Sequence, residues 1–401
     1  TMIGSLSAAG KTVSASRRGQ GRTFSKVAAL SLAAGVVLGG QVPAQAAPRI
    51  GQLPDITARE STIDYQNSET VDKIGGGLVD VMGGVNRVIS GGESGHITEP
   101  FAPEAGQLRK EFGAMGSHPV AATREAMPCD GVVYTIYNRV LRDLHGLHGT
   151  TGCYDVLPES ANASPVGAQL IYPADIDSME SAPLMVLSPG IGTEPGMYDA
   201  QARLYASHGY VVALGYNFTN WFAPQMVLAA SVAAAANEDE STPLAGKIDF
   251  SRTMLVGHSA GGGSAIFLNN RMDKAFQAAG IDMVTRGLVA INPGPSDAGL
   301  ISTPPEIPSL VAIAEHEDIV PFDADRRGYR DAEGPAWEAV VTGSYHGTYL
   351  DDPSKNVLGS MVLSFSEYVL DGTSRAKAVY EGANYGLATD SELKDVQRKG
   401  V

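Results

Sequence analysis

The chain has 401 residues, of which 43% are hydrophobic and 7% aromatic, with 47 glycines. That length accommodates one large α/β domain with extensions, or two domains. The formal net charge of −15 speaks against nucleic acid or an anionic lipid surface as a partner.

Residues 1–46 read as a secretory signal. Lys11, Arg17, Arg18, Arg22 and Lys26 form a basic start without an acidic residue, Val27 to Leu38 is apolar, and Ala44-Gln45-Ala46 is a small-residue cleavage pattern. The apolar run is short for a membrane span, so a secreted protein with no stable span after cleavage is expected; an uncleaved anchor is the alternative. Arg17-Arg18 leaves the export route open. Removing the five basic residues leaves 24 against 44 acidic ones, a net charge of −20.

Residues 47–115 read as an N-terminal extension, partly helical or loosely ordered. Val71, Ile74, Leu78, Val81, Met82, Val85, Val88 and Ile89 recur at near-helical spacing. Gly75, Gly76, Gly77, Gly83 and Gly84 interrupt them, each at a cost of up to about 1 kcal/mol in a helix. An adaptable amphipathic segment lying on the main domain, or a pro-region, is expected; surface association is the weaker reading. Gly91 to Glu104 reads as a linker.

From residue 116 to 371 the pattern becomes regular. Strands are expected at Val132 to Tyr137, Ala168 to Tyr172, Leu184 to Leu187, Tyr210 to Leu214, Leu288 to Ile291, Leu310 to Ile313 and Ala339 to Val341. Helices are expected at Met197 to Ser207, Pro224 to Asn237 and Val357 to Leu370. Strands apolar on both faces, alternating with helices, predict a mostly parallel sheet covered by helices. Residues 372–401 read as a polar tail with a short helix or two. Cys129 and Cys153, an even count in an exported chain, allow one disulfide; two free thiols are the alternative. Closing that loop would stabilise the fold by about 3 kcal/mol in the chain-entropy picture.

One stretch organises the rest. Thr253 to Val256 is an apolar run, Gly257-His258-Ser259-Ala260-Gly261 has the G-x-S-x-G pattern, and a helical stretch follows to about Asn270. A nucleophile elbow holds its serine in a strained backbone, and bulky residues two positions before or after it would clash. The helix behind it aims N–H groups where negative charge develops in acyl transfer. Such a serine needs an acid and then a histidine further along the chain. Glu315, His316, Glu317 and Asp318 crowd the end of the Leu310 strand, and His346 lies in the tight turn Gly343-Ser344-Tyr345-His346-Gly347. His346 is the expected base, and Glu317 or Asp318 the acid. Ala260 and Ile191, the latter in Ser188-Pro189-Gly190-Ile191-Gly192, are the expected oxyanion donors. His145 and His148 are spaced H-x-x-H, but no carboxylate or third ligand accompanies them, so no metal site and no cofactor are expected.

These stretches together resemble the α/β-hydrolase fold, and within it the bacterial cutinase and polyester-hydrolase group, which includes enzymes that hydrolyse polyethylene terephthalate. Gly116-Ser117-His118-Pro119-Val120 resembles the group's Gly-Pro-x-Pro opening, and Ile171-Tyr172-Pro173 its Tyr-Tyr-Pro strand. Pro189-Gly190-Ile191 resembles its Pro-Gly-Tyr loop. Ala206 to Val212, Gly246-Lys247-Ile248-Asp249, Gly261-Gly262-Gly263 and Asn269-Asn270 match further stretches. The group's proline spacing, counted from Pro308 and Pro321, implies Glu317 as the acid; residue type favours Asp318. The chain departs from the group at Ile191, usually aromatic, at Ala260, usually Met or Gln, and at Asn292-Pro293-Gly294-Pro295, where the group has a Trp. His258 stands where the group has Trp or His. Trp221 and Phe222, with His258, are expected to line the substrate cleft instead. The resemblance implies a secreted serine carboxylic ester hydrolase acting on an acyl ester, lipid or polyester. An acyltransferase with the same triad, or a non-catalytic envelope protein on a hydrolase scaffold, are the alternatives.

Overall fold

The computed structural model describes residues 68–90, 97, 99–129, 131–148, 151–154, 166–217, 219–294, 303–320 and 324–401. The expected signal at 1–46, residues 47–67 of the extension, part of the linker, and the landmark prolines Pro295 and Pro321 lie outside them.

Among the described residues the strands are β1 (Val120–Ala122), β2 (Met127–Pro128), β3 (Gly152–Cys153), β4 (Gly167–Pro173), β5 (Ala182–Ser188), β6 (Val211–Tyr216), β7 (Ile248–His258), β8 (Thr285–Ile291), β9 (Ser309–His316), β10 (Ala336–Tyr345) and β11 (Leu393–Lys399). Nine of them form one sheet in the order β1-β4-β6-β5-β7-β8-β9-β10-β11. The pairings from β6 through β10 are parallel. Those of β1 with β4, β4 with β6 and β10 with β11 are antiparallel. This is an α/β protein with a mixed, mostly parallel sheet flanked by helices.

The continuous apolar runs follow from burial on both sides. Leu184 and Val186 of β5 face one core, and Met185 and Leu187 the other. Leu288 and Ala290 of β8 divide from Val289 and Ile291 in the same way. Each such Val, Leu or Ile taken fully out of water contributes about 1.5–3 kcal/mol. Helices Pro224–Glu238, Ala260–Leu268 and Met272–Ala278 cover the first face; Asp199–Ser207 and Leu358–Leu370 cover the second. The alanines of Pro224–Glu238 let it approach closely: a Cβ on Gly215 of β6 would sit 2.1 Å from the Gln225 carbonyl oxygen.

Two expectations need correcting. Val132 to Tyr137 is not a strand but the start of a helix, Val132–His145. Its β-branched residues favour a strand, yet Tyr134, Leu141 and Leu144 bury a common helical face, and packing overrides propensity. The extension, expected to be partly helical, carries Gly75, Gly76, Gly77, Gly83 and Gly84 inside a helix. Glu69–Ser90 is one continuous helix of 22 residues. Gly75 gives it close approach to the Val132–His145 helix, since a Cβ there would sit 3.2 Å from Arg139 Cγ. The polar tail holds helices Ser374–Tyr380 and Gly386–Thr389, as expected, but also β11 at the sheet edge. Lys394 of β11 pairs with Glu315 of β9 across β10. Cys129 and Cys153 are joined as a disulfide beside the β2–β3 ladder. No helix among the described residues is long and apolar enough to cross a membrane.

Candidate active site

The strand order reverses direction at β5. The next strand, β6, lies on one side of it and β7 on the other. In open parallel sheets such a switch leaves a crevice at the carboxyl ends of the two strands, because their following loops diverge. Ser188 ends β5, and its register partner on β7 is Gly257, two residues before Ser259. The two loops that sequence reading linked to acyl transfer therefore meet at this crevice.

Ser259 sits between β7 and the helix Ala260–Leu268 with φ 54° and ψ −122°, a strained backbone for a residue with a Cβ. Its neighbours explain how the chain tolerates the turn. A Cβ on Gly257 would meet the Gly261 carbonyl oxygen at 2.0 Å, and one on Gly261 the Ser188 carbonyl oxygen at 2.3 Å. Hydrogen bonds hold the serine itself: its N–H donates to the Ile291 carbonyl (2.9 Å), and its carbonyl accepts from Gly294 N–H (2.7 Å) and Gly263 N–H (3.1 Å).

The acid and the base come from the ends of β9 and β10. His346 is buried and begins a short 3-10 turn, His346–Leu350. Its Nδ1 donates to Glu317, at 2.7 Å from Oε2 and 2.9 Å from Oε1. Glu317 Oε1 also accepts from Ile319 N–H (2.8 Å) and Val320 N–H (3.0 Å), which aim the carboxylate. Of the two acids left open, Glu317 makes this bond; Asp318 is buried nearby and adds its charge. Burial works against a charged His346, but the Glu317 charge and hydrogen bond, with Asp318 and Asp325, outweigh it and hold its pKa above the ordinary 6.5. Burial would likewise raise the Glu317 pKa, but the His346 charge and the hydrogen bonds from His346, Val320 and Ile319 keep it below the usual carboxylate value. With Nδ1 committed to the acid, Nε2 remains for proton transfer.

Residues to which sequence reading assigned no such role hold this pair in place. The His346 carbonyl accepts from His258 Nε2–H (2.8 Å) and from Asn292 Nδ2–H (3.0 Å). Asn292 follows β8 at φ 43°, and its Oδ1 accepts from Ala314 N–H of β9 (2.7 Å). Tyr198 donates its hydroxyl to His258 Nδ1 (2.7 Å) and accepts from Gly190 N–H (2.8 Å). A chain of bonds thus runs from the Gly190 loop through Tyr198 and His258 to the backbone of His346. Burial, then the His346 charge, push the His258 pKa down to about 3, so the ring stays neutral.

That arrangement relocates one expected residue. His258, expected to line a substrate cleft, is buried with both ring nitrogens engaged. His145 and His148 engage different partners. His145 Nδ1 accepts from Gly347 N–H (3.2 Å), while His148 Nδ1 bonds Asp351 (2.6 Å). Ile191, Trp221 and Phe222 are 40–45% exposed. Gly190 lies against the serine, since a Cβ there would be 3.1 Å from Ser259 Cβ, which sets Ile191 at the mouth of the crevice. Asn292 had a visible signal, standing where the resemblance calls for a Trp; Tyr198 had none. No protein-family model matches the chain, and no curated protein matches it.

Proposed function

We propose that the chain is a secreted serine carboxylic ester hydrolase of the α/β-hydrolase fold, similar to the cutinase and polyester-hydrolase group. One observation carries this reading: a strained Ser259 at the switch point of a parallel sheet follows His258, which bonds the backbone of a buried His346 paired with Glu317. Ser259 Oγ attacks the ester carbonyl as His346 Nε2 takes its proton. Glu317 holds the ring by Nδ1 and stabilises the imidazolium. The Ile191 and Ala260 N–H groups receive the oxyanion, the alcohol leaves with the proton from His346, and water then cleaves the acyl-enzyme. The chemistry needs no cofactor. The disulfide and the basic, apolar start of the chain fit export to an oxidising compartment.

The test is hydrolysis of a p-nitrophenyl ester. Ser259→Ala is expected to lower kcat/KM by about 10⁴-fold or more and to abolish labelling by an alkyl phosphonate. A Ser259→Ala protein with near-full activity would sink the proposal.

A further inference from the structure

The loop after β6 carries three non-glycine residues at positive φ within four positions: Asn220 at 52°, Phe222 at 57° and Ala223 at 65°. Of these, asparagine tolerates that region best; for phenylalanine and alanine it is strained. Strain of this kind persists only where the surroundings over-determine it, and it gathers at functional sites. Here the surroundings are polar and buried. Gln225 Nε2 and Ser264 Oγ both donate to the Asn220 carbonyl, at 2.9 and 2.7 Å. Asn217 N–H donates to Asn220 Oδ1 (2.8 Å), and Asn220 N–H donates to Asn217 Oδ1 (2.5 Å). The Asn220 side chain is fully buried and points its remaining donor at one target: Nδ2–H reaches the Gly190 carbonyl at 2.8 Å.

That target matters because of the peptide plane. The Gly190 carbonyl and the Ile191 N–H belong to one planar trans unit and point in opposite directions. Fixing one fixes the other. Gly190 to Thr193 form a turn, with Gly192 at φ 65°, in which Thr193 N–H and Oγ1 return to the Gly190 carbonyl at 3.4 and 2.6 Å. The turn uses the Thr193 amide and not that of Ile191. Tyr198 holds the Gly190 N–H from the other side. We infer that Asn220 is a positioning residue for the oxyanion hole: by holding the Gly190 carbonyl it aims the Ile191 N–H at the oxygen that becomes negative. The inference rests on the ester-hydrolase reading and adds to it a reason for the strained 220–223 loop.

The test compares Asn220→Gly with Asn220→Asp in the full-length protein. Glycine keeps the positive φ and removes the donor; aspartate keeps the shape and puts an oxygen where the donor was. In Asn220→Gly, kcat for a p-nitrophenyl ester should fall about 10- to 100-fold with KM within threefold, less than the loss from deleting an oxyanion donor outright. Affinity for a boronic acid, which mimics the tetrahedral intermediate, should fall in proportion. The acid limb of the pH profile, set by His346, should not move. Asn220→Asp should lose at least as much as the glycine variant. Unchanged kcat and boronate affinity in a folded Asn220→Gly protein would overturn the inference. So would an aspartate variant that behaves as the parent, or a loss confined to KM. Phosphonate labelling of the parent chain separates the two claims: a labelled parent with an indifferent Asn220→Gly variant removes only this inference, whereas an unlabelled parent removes both.

Discussion

Two regions of this molecule are built on opposite principles. At the carboxyl ends of β5 through β10, backbone strain at Ser259, Asn220 and Asn292 is held by dense buried hydrogen bonding. On the outside, the helix Glu69–Ser90 lies on Val132–His145 through a small apolar cluster of Val79, Val140 and Leu144, with Met82 at its margin. Beside that cluster Arg139 pairs with buried Asp143 and with exposed Asp72, the latter pair of the exposed kind that contributes little. The outer face of the same helix leaves Ile74, Leu78, Val81 and Val85 exposed. The contrast teaches where this chain spends order. Geometry is fixed tightly where an amide or an imidazole must point one way, and loosely where a helix need only be attached. One link between the regions is His145, the last residue of the supporting helix, whose Nδ1 receives Gly347 N–H beside His346.

The sharpest way to break the comparison is at the acid. Glu317→Gln should lower kcat by about 10³- to 10⁴-fold, because the ring loses both its orientation and its counter-charge. Asp318→Asn should cost less than tenfold. The same pair tests the pH profile. His346 must be neutral to act as base, and Glu317 holds its pKa above 6.5, so the acid limb of kcat/KM should lie above 6.5 in the parent and move down in Glu317→Gln. Equal, mild losses in the two variants would show that the carboxylate at the end of β9 is not the one that matters.

Much of this site was legible in the sequence, and the reason is local. Gly257, Ser259 and Gly261 are close in the chain, and the steric demand that links them acts over five residues. Glu317 and His346 follow the ends of apolar strands, so their place was readable once the strands were. The core of the sheet was readable for the same cause, as strands buried on both faces carry unbroken apolar runs. What escaped is decided by contacts between distant segments. Tyr198 and Asn220 reach Gly190 from elements that local pattern does not mark. Val132 to Tyr137 has strand propensity, and only its packing face makes it a helix. β11 has the alternating charges of an edge strand, with one side turned to water, and so reads as a polar tail.

A smaller effect probes both regions through their histidines. His145 and His258 are buried and neutral, with pKa values pushed down to about 3 by burial and then by the His346 charge. The unfolded chain protonates them near 6.5 and the folded one does not. Their contribution to stability is therefore full above 6.5 and is lost progressively as pH falls towards 3. His346 has the opposite sign: its raised pKa stabilises the fold below 6.5, and this is lost as pH rises through its folded value. Urea unfolding should show stability falling from pH 6.5 to 5, by up to about 1.4 kcal/mol per pH unit for each buried neutral histidine. His145→Asn, whose side-chain oxygen can take the place of Nδ1 as acceptor, should remove about half of that slope. A urea midpoint that stays constant from pH 7 to 5 would contradict the neutral, buried assignment.

The smallest expected effect is the most direct test of how separate the regions are. Val79 is the buried centre of the outer contact, between Val140 and Leu144. Val79→Ala removes two methyl groups from a cluster too small to repack, at a cost of about 1–2 kcal/mol. If the helix Glu69–Ser90 is attached as a unit of its own, that loss is local. Amide exchange along the helix should speed up about 5- to 30-fold, while exchange in β5, β7 and β8 stays unchanged. Ester hydrolysis should stay within twofold of the parent and its acid limb should not move, because the order around His346 is set by Glu317, His258 and Asn292 rather than by the outer helix. A fall of more than fivefold in kcat/KM, or a displaced limb, would mean that strain in the outer layer travels along Val132–His145 to the Gly347 amide. The extension would then be part of the catalytic apparatus rather than a layer resting on it.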